Sequence, residues 1–296
     1  MTGGVIILDK PGGITSFDAV RQTGKILREK KCGHAGTLDP AATGVLPICV
    51  GSATKIAGYL SDCDKKYEAV FSFGVSTDTG DAAGKPIDVK SGAWATESET
   101  ASAVSELTGT FAQIPPSYSA VKVGGVRSYK LARRGEEVPL APRMVTVFDA
   151  RLLGWSEKDF RIAISCSKGF YIRALSRDLG ARLCVPMTLA SLRRLQVGDF
   201  GIDRAVTLDD LRELAAAGRE RERMISIPDA LSRMPKWTTP PEAVAGVRNG
   251  RLAGSWLSEY IASESSNTAL LITGQGSPLA IVGRAPTGLW KILRGI

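Results

Sequence analysis

Apolar and polar positions along this chain shift between strand and helix periods, and those shifts outline its elements. Val5 to Leu8 is a continuous apolar run, the pattern of a short buried strand, and Lys10-Pro11-Gly12-Gly13 ends it. Behind Thr15 or Ser16 as N-cap, Phe17, Val20, Gly24 and Leu27 fall on one helical face. VLPICV (Val45 to Val50) reads as a strand, with Pro47 implying an edge or a bulge because proline donates no ladder hydrogen bond. Tyr67, Ala69, Phe71 and Phe73 share one side of a further strand. The turn formers of STDTGDAAGKP predict a loop. Thr96-Glu97-Ser98-Glu99 is a capping box opening a helix through Ala101, Val104 and Leu107, which Gly109 closes.

Downstream, AVKVGGVRSY predicts a hairpin turning on Gly124-Gly125, and Val145 to Leu153 and Arg161 to Ser165 read as strands. In CSKGFYIRALSRDLGARL the residues Ile172, Leu175, Leu179 and Leu183 are helically spaced, which puts Tyr171 and Arg173 at a strand-to-helix junction. Leu192 to Phe200 predicts one more strand and LDDLRELAAAG one more helix. From about Lys236 prolines 240 and 241 precede short apolar runs (Leu270 to Thr273, Leu279 to Val282, Leu289 to Leu293) punctuated by Gly and Pro. That texture predicts a small β-rich domain over 236–296 after a larger one over 1–235.

Composition adds a folded core and a mild preference for anions. The 296 residues are 44% hydrophobic, and 38 Lys plus Arg against 30 Asp plus Glu leave a net charge of +8. Such a charge attracts a polyanion such as nucleic acid, although an excess this small also serves solubility alone. The 5 cysteines form no C-x-x-C pair, the pattern of reduced thiols in a cytoplasmic protein, and with 1 histidine they leave no zinc set. The apolar run at the N-terminus is too short for a signal peptide, and no stretch approaches a membrane span.

Chemistry is narrowed by what is missing. No G-x-x-x-x-G-K-[ST], no G-x-G-x-x-G after a strand and no G-x-S-x-G occurs, so the residues available for a reaction are carboxylates, tyrosine, arginine and lysine. Asp39 stands out in CGHAGTLDPAATGVLP. Asp-Pro before Ala-Ala-Thr is the pattern of an N-cap with proline at the first helical position, and proline also pushes Asp39 toward extended backbone that aims its carboxylate outward. The two readings are compatible, because capping leaves one oxygen free. His34 reads equally as a histidine satisfied by loop carbonyls, and Tyr67 as a core-facing strand aromatic. Arg173 lies near a helix N-terminus, where a cation is disfavoured, so a partner carboxylate is expected beside it.

GHAGTLDPAATGVLPICVGSATK (Gly33 to Lys55) resembles the catalytic motif of the TruB-type tRNA pseudouridine synthases. The resemblance extends in order to LDKPGGITS, DKKYEAVFSFGVSTDTGDAAG, IPPSYSAVKVGGVRSYKLAR, CSKGFYIRALSRDLG and LRRLQVGDF, and spans most of residues 3 to 214. It implies an α+β pseudouridine synthase fold, a mixed and largely antiparallel sheet with flanking helices and an RNA cleft. A small C-terminal PUA-like barrel over 236–296 is implied as a second grip on the RNA.

The implied reaction isomerises uridine 55 in the T-loop of tRNA without cofactor or metal, after everting the base from its stack. Asp39 matches the essential aspartate, which either attacks carbon of the sugar or uracil or removes the C2′ proton to give a glycal. Arg173 matches the arginine that pairs with and aims this carboxylate. Tyr67 matches the tyrosine that stacks on the base and takes part in removing the C5 proton. His34 matches the residue that inserts where the base has left, Tyr171 and Leu192 match the uracil pocket, and Asp81 matches a loop acid contacting the base or its arginine neighbours. Lys10 and Lys55 are expected to contact the RNA. The partner implied is free tRNA, with no guide RNA, bound by a cytoplasmic monomer.

Two other readings use the same residues differently. A tRNA-binding folding factor would open and release the tRNA elbow without isomerising it. A carboxylate glycosidase would need a second acid as proton donor and a water, and would release free uracil.

Overall fold

The structure, a computed structural model, describes residues 3–92, 94–118, 122–123, 125–128, 131, 134, 136, 139–254, 256–263 and 266–296. In chain order its body contains β1 (Gly4–Lys10), α1 (Ser16–Ile26), β2 (Cys32–His34), β3 (Thr43–Val50), α2 (Ala57–Ser61), β4 (Lys65–Phe73), β5 (Val75–Thr77), β6 (Pro86–Val89), α3 (Glu97–Ser105), β7 (Gly109–Gln113), β8 (Lys122–Val123), β9 (Val126–Arg127), β10 (Arg143–Trp155) and β11 (Asp159–Cys166). These are followed by α4 (Ala174–Leu183), β12 (Met187–Val197), β13 (Phe200–Gly201), α5 (Leu208–Ala216) and α6 (Ile227–Ala230). A mixed sheet runs in the order β1-β3-β12-β4-β11-β10-β7, with β2 added to β3 and β13 to β12. Its pairs are antiparallel apart from β12 with β3, which touch in parallel at Arg193↔Thr43 and Arg194↔Gly44. Strand β12 is thus the seam between two halves.

Both faces of the β1/β3 half are covered, which explains why Val5 to Leu8 shows no alternation. Ile6, Leu8, Leu46 and Ile48 pack under Ala19 and Val20 of α1 and Leu208 and Leu211 of α5. On the opposite face Val5, Ile7, Val45 and Cys49 meet Ile56, Leu60, Leu270 and Ile281. The other half carries the alternation of β4: Tyr67, Ala69 and Phe71 lie in one core with Val104 of α3 and Leu175 and Leu179 of α4. Each such buried side chain contributes about 1.5–3 kcal/mol.

The last residues form β14 (Lys236–Thr238), α7 (Pro241–Arg248), α8 (Trp256–Ser263), β15 (Thr268–Ile272), β16 (Pro278–Arg284) and β17 (Trp290–Gly295). Their separate four-stranded sheet follows the order β14-β15-β16-β17, an open path among the described residues. Trp237, 2% exposed, stacks on Tyr260 with 5.3 Å between ring centroids and lies 4.5 Å from Trp290. Among the described residues no helix is long and apolar enough to cross a membrane.

Several local expectations are corrected. Phe17 is 71% exposed, because α1 buries Ser16, Ala19, Val20 and Thr23 instead. Pro47 lies inside a central strand: its carbonyl accepts from Ala35 N (2.9 Å), so its nitrogen faces the same side, where β2 ends, and β1 needs no donor from it. Helix α3 stops at Ser105, short of Leu107, and Gly109 opens β7. Strand β12 begins at Met187, five residues before the expected start, and turns at Gly198 (φ 54) into β13. The loop STDTGDAAGKP contains the β5 residues Ser76 and Thr77 and the first residue of β6, its partner strand. The hairpin on Gly125 (φ 84) pairs Lys122 with Arg127 and Val123 with Val126, whereas Ala120, Val121, Gly124 and Tyr129 lie outside the described residues.

Candidate active site

The segment from Ala35 to Ala42 connects β2 to β3 and is tied down residue by residue. Ser16 Oγ accepts from Leu38 N and donates to Leu38 O, both at 2.9 Å. Lys10 Nζ donates to the carbonyls of Pro11 (2.7 Å), Ile14 (2.9 Å) and Pro40 (3.2 Å), and Gly13 N also reaches Pro40 O. Arg194 donates from Nε to Val45 O (2.7 Å), from Nη2 to Gly36 O (2.9 Å) and from Nη1 to Thr37 O (3.4 Å). Ala42 N closes a turn onto Asp39 O at 3.1 Å, with Pro40 at the second position. The Asp-Pro pattern therefore makes one turn and no helix, and the Asp39 carboxylate is directed away from its own backbone.

That carboxylate meets Arg173, 134 positions later. Arg173 Nε donates to Asp39 Oδ2 at 2.8 Å and Nη2 to Oδ1 at 3.3 Å, a two-pronged pair. The remaining donors go to Thr79 O (3.2 Å) and Tyr118 O (2.8 Å), and Asp81 Oδ2 stands 3.7 Å from Nε. The Arg173 side chain is 9% exposed and that of Asp39 is 38% exposed, so the cation is sealed in while its partner keeps an accessible edge. Arg173 is the N-cap residue of α4, and the carboxylate expected beside such a cation is Asp39. Asp81 is held by Thr79 Oγ1 (2.7 Å) and by Ala83 N (3.1 Å), in a turn docked on β12 through Leu189. Gln113 clamps the backbone of Tyr171 from both sides, accepting from its N–H (2.9 Å) and donating to its carbonyl (3.2 Å).

Tyr67 and His34 gather around Arg194. Tyr67, paired across β4 and β12 with Arg194, is 9% exposed; burial pushes its phenol up, and the nearby Arg194 guanidinium opposes this. The negative charge of Asp39 reaches Tyr67 as well. Burial and then the Arg194 charge push His34 down from its usual value, which favours the neutral ring, and its Nδ1 is buried without a partner among the described residues. Leu192, opposite Ala69, bridges two core clusters at the edge of this group.

One expectation fails, that of Lys10, and Lys55 is placed apart from the Asp39 turn. Lys10 is fully buried with its three donors spent on carbonyls, so it braces the Asp39 turn from beneath and has no N–H left for a phosphate. Burial lowers its pKa, with Asp39 opposing and Arg194 adding to the shift. Lys55 lies in the 3₁₀ turn Gly51–Ile56 beyond the far end of β3, so roughly 23 Å of strand separates it from the Asp39 turn. Sequence reading also missed Ser16, Gln113 and Arg194. Ser16 was legible only as an N-cap candidate, and a polar residue in a strand carries no mark of what it clamps.

A cavity of about 550 Å³ lies behind Arg173, between α4 and the segments Ser76–Gly80 and Ile114–Ser117. Neither Asp39 nor Tyr67 is in its wall, so a base beside Asp39 would not occupy it.

Residues 24–172 match the family model described as TruB family pseudouridylate synthase (N terminal domain), a span that holds His34, Asp39, Tyr67, Asp81 and Tyr171 and ends one residue before Arg173. The chain is 37% identical over 293 residues to the tRNA pseudouridine synthase B of Bacillus pumilus, covering 97% of this chain and 94% of that one. The Bacillus subtilis protein of the same name is 38% identical over 287 residues, with 95% and 93% covered. Among solved structures, an archaeal box H/ACA sRNP Nop10-Cbf5 complex has a chain superposing with TM-score 0.74 at 22% identity, over 99% of this chain and 85% of that chain. A Cbf5-Nop10-Gar1 complex gives 0.72 at 26% identity, over 99% and 83%. With half of its length matched by the family model and its relatives aligned almost end to end, the chain belongs to the TruB family of pseudouridylate synthases.

Proposed function

We propose that this isomerase converts uridine 55 in the T-loop of tRNA to pseudouridine, acting on free tRNA without a guide RNA, cofactor or metal. The names of its relatives support tRNA as substrate. The observation that carries the role of Asp39 is its two-pronged pairing with a buried Arg173, which leaves one edge of the carboxylate open. An oxygen so held has a fixed direction before substrate arrives, so little reorganisation is needed at the moment of reaction.

In this reading the target uridine is everted, because C1′ and C5 are out of reach within a stacked loop and unstacking costs about a few kcal/mol. Asp39 then attacks carbon or removes the C2′ proton; both routes begin from one carboxylate oxygen beside the ribose. The C1′–N1 bond breaks and the retained uracil turns; C1′ joins C5 as the Asp39–carbon bond breaks or the C2′ proton is returned, and the C5 proton leaves while N1 takes one up. Tyr67 supplies the ring against which the base lies and a hydroxyl near the departing proton. Tyr171 and Leu192 border the uracil, Asp81 steadies Arg173, and a neutral His34 fills the gap left in the RNA stack without bringing a charge into it. Residues 1–235 are assigned to catalysis and 236–296 to a second RNA contact.

Asp39→Asn tests the reading. Unmodified tRNA transcript incubated with this variant should yield no detectable pseudouridine at single-nucleotide resolution while binding stays within about twofold of the parent. Retained isomerisation would remove Asp39 from the mechanism. A parent protein that binds tRNA and forms no pseudouridine would favour the folding factor instead.

A further inference from the structure

Among the described residues Arg194 is the second largest fully buried side chain, 1% exposed, and no carboxylate lies within ion-pair distance of it. Its neighbour Arg193 points to the opposite face of β12, remains 41% exposed and pairs with Asp9 at 2.7 Å. A cation removed from water with no anion is costly, and an apolar side chain of similar volume would fill the space at lower cost. Something other than stability has to account for it.

Three of its five N–H groups are spent on carbonyls of Gly36, Thr37 and Val45, which flank Asp39 on both sides. It also stands directly opposite Tyr67 across β12 and β4, and its charge acts on Tyr67, His34 and Lys10. The backbone approaches equally closely: a Cβ on Gly44 (φ +102) would collide with the Arg194 carbonyl. One residue thus ties the turn that carries the Asp39 carboxylate to the strand that carries the Tyr67 ring, its guanidinium holding the first and its strand position facing the second.

We propose that Arg194 is a positioning residue of the isomerisation, which locks the Asp39 turn and the Tyr67 ring into one frame without touching the substrate. This rests on the function proposed above. A planar fork reaches three carbonyls in different directions, whereas an ammonium on a flexible stem does not reproduce that geometry.

The test uses the full chain with Arg194→Lys and Arg194→Met, the lysine keeping the charge if the methionine variant fails to fold. Single-turnover rates on unmodified tRNA should fall about 100-fold for methionine and about tenfold for lysine, with the tRNA dissociation constant within about twofold of the parent. A double-mutant cycle with Tyr67→Phe should be sub-additive, because the two residues face each other across the strands and the hydroxyl removed is the group on which the Arg194 charge acts. Amide hydrogen exchange in residues 35–42 should quicken in Arg194→Lys without any RNA present. Unchanged rates, multiplicative effects in the cycle or a loss confined to RNA binding would overturn the proposal. If the parent forms no pseudouridine, the functional reading fails, while the exchange measurement still decides whether Arg194 holds the turn.

Discussion

Replacing Arg173 by lysine keeps the charge and removes the fork. In the parent, Nε and Nη2 engage both oxygens of Asp39, and Nη1 and Nη2 hold the carbonyls of Thr79 and Tyr118. A lysine ammonium reaches one carboxylate oxygen and one carbonyl at best. A charge-assisted hydrogen bond contributes about 1.5–3 kcal/mol, and the 38% exposure of the Asp39 side chain brings the lost one down to about 1 kcal/mol. A carbonyl left without its donor adds about 1 kcal/mol, so the variant should be destabilised by about 2 kcal/mol, a fall of about 4 °C in melting temperature for a chain of this size. The rate should suffer more than the fold. A carboxylate displaced by about 1 Å costs about 100-fold in the chemical step. Arg173 is nearly sealed from solvent, so tRNA affinity should remain within about twofold. Thermal denaturation, filter binding and single-turnover pseudouridine formation under saturating enzyme, well below the melting temperature, measure the three quantities. A single-turnover rate within about threefold of the parent would refute the argument that the fork aims Asp39.

Gly44→Ala should destabilise the protein by about 3 kcal/mol or more in chemical denaturation, since the new Cβ meets backbone of Arg194, which has no rotamer with which to yield. His34, the lone histidine, should titrate in a proton NMR experiment below its ordinary 6.5, because burial and the Arg194 charge both disfavour its proton. Its folded pKa is lowered, so the unfolded chain takes up the proton first: its stabilising effect is complete above about pH 6.5 and fades as pH falls below that value. His34→Asn should flatten this slope, and a midpoint at or above 6.5 would contradict the account. Burial pushes the thiols of Cys32 to about 11 and of Cys49 and Cys166 to about 12, so alkylation of the native protein near pH 7.5 should fall mainly on the exposed Cys184, as peptide mass mapping would show.

Much of the secondary structure is legible in local order alone. The alternation in Tyr67 to Phe73 specifies a strand with one covered face, and Thr96 with Glu99 forms the capping box their spacing implies, because both are properties of a few neighbouring residues. The motif around Asp39 likewise marks that residue as a candidate, and the structure leaves its carboxylate 38% exposed beside Arg173. Even the partner of Arg173 was foreseeable in kind, since a cation at a helix N-terminus requires an anion.

Its identity was not, and neither was the frame that holds it. Asp39 and Arg173 are joined only when β4 and β12 bring α4 against the turn that precedes β3, a meeting no short window contains. Lys10 and Phe17 exchange their expected places for the same reason: hydropathy ranks a lysine as exposed and a phenylalanine as buried, yet three carbonyls converge on one while α1 turns the other to solvent. The residues themselves determined the segments and singled out Asp39 as a candidate; only the tertiary structure decided which polar atoms satisfy one another, because pairing buried charge is a non-local cost settled by whatever the folded chain places within reach.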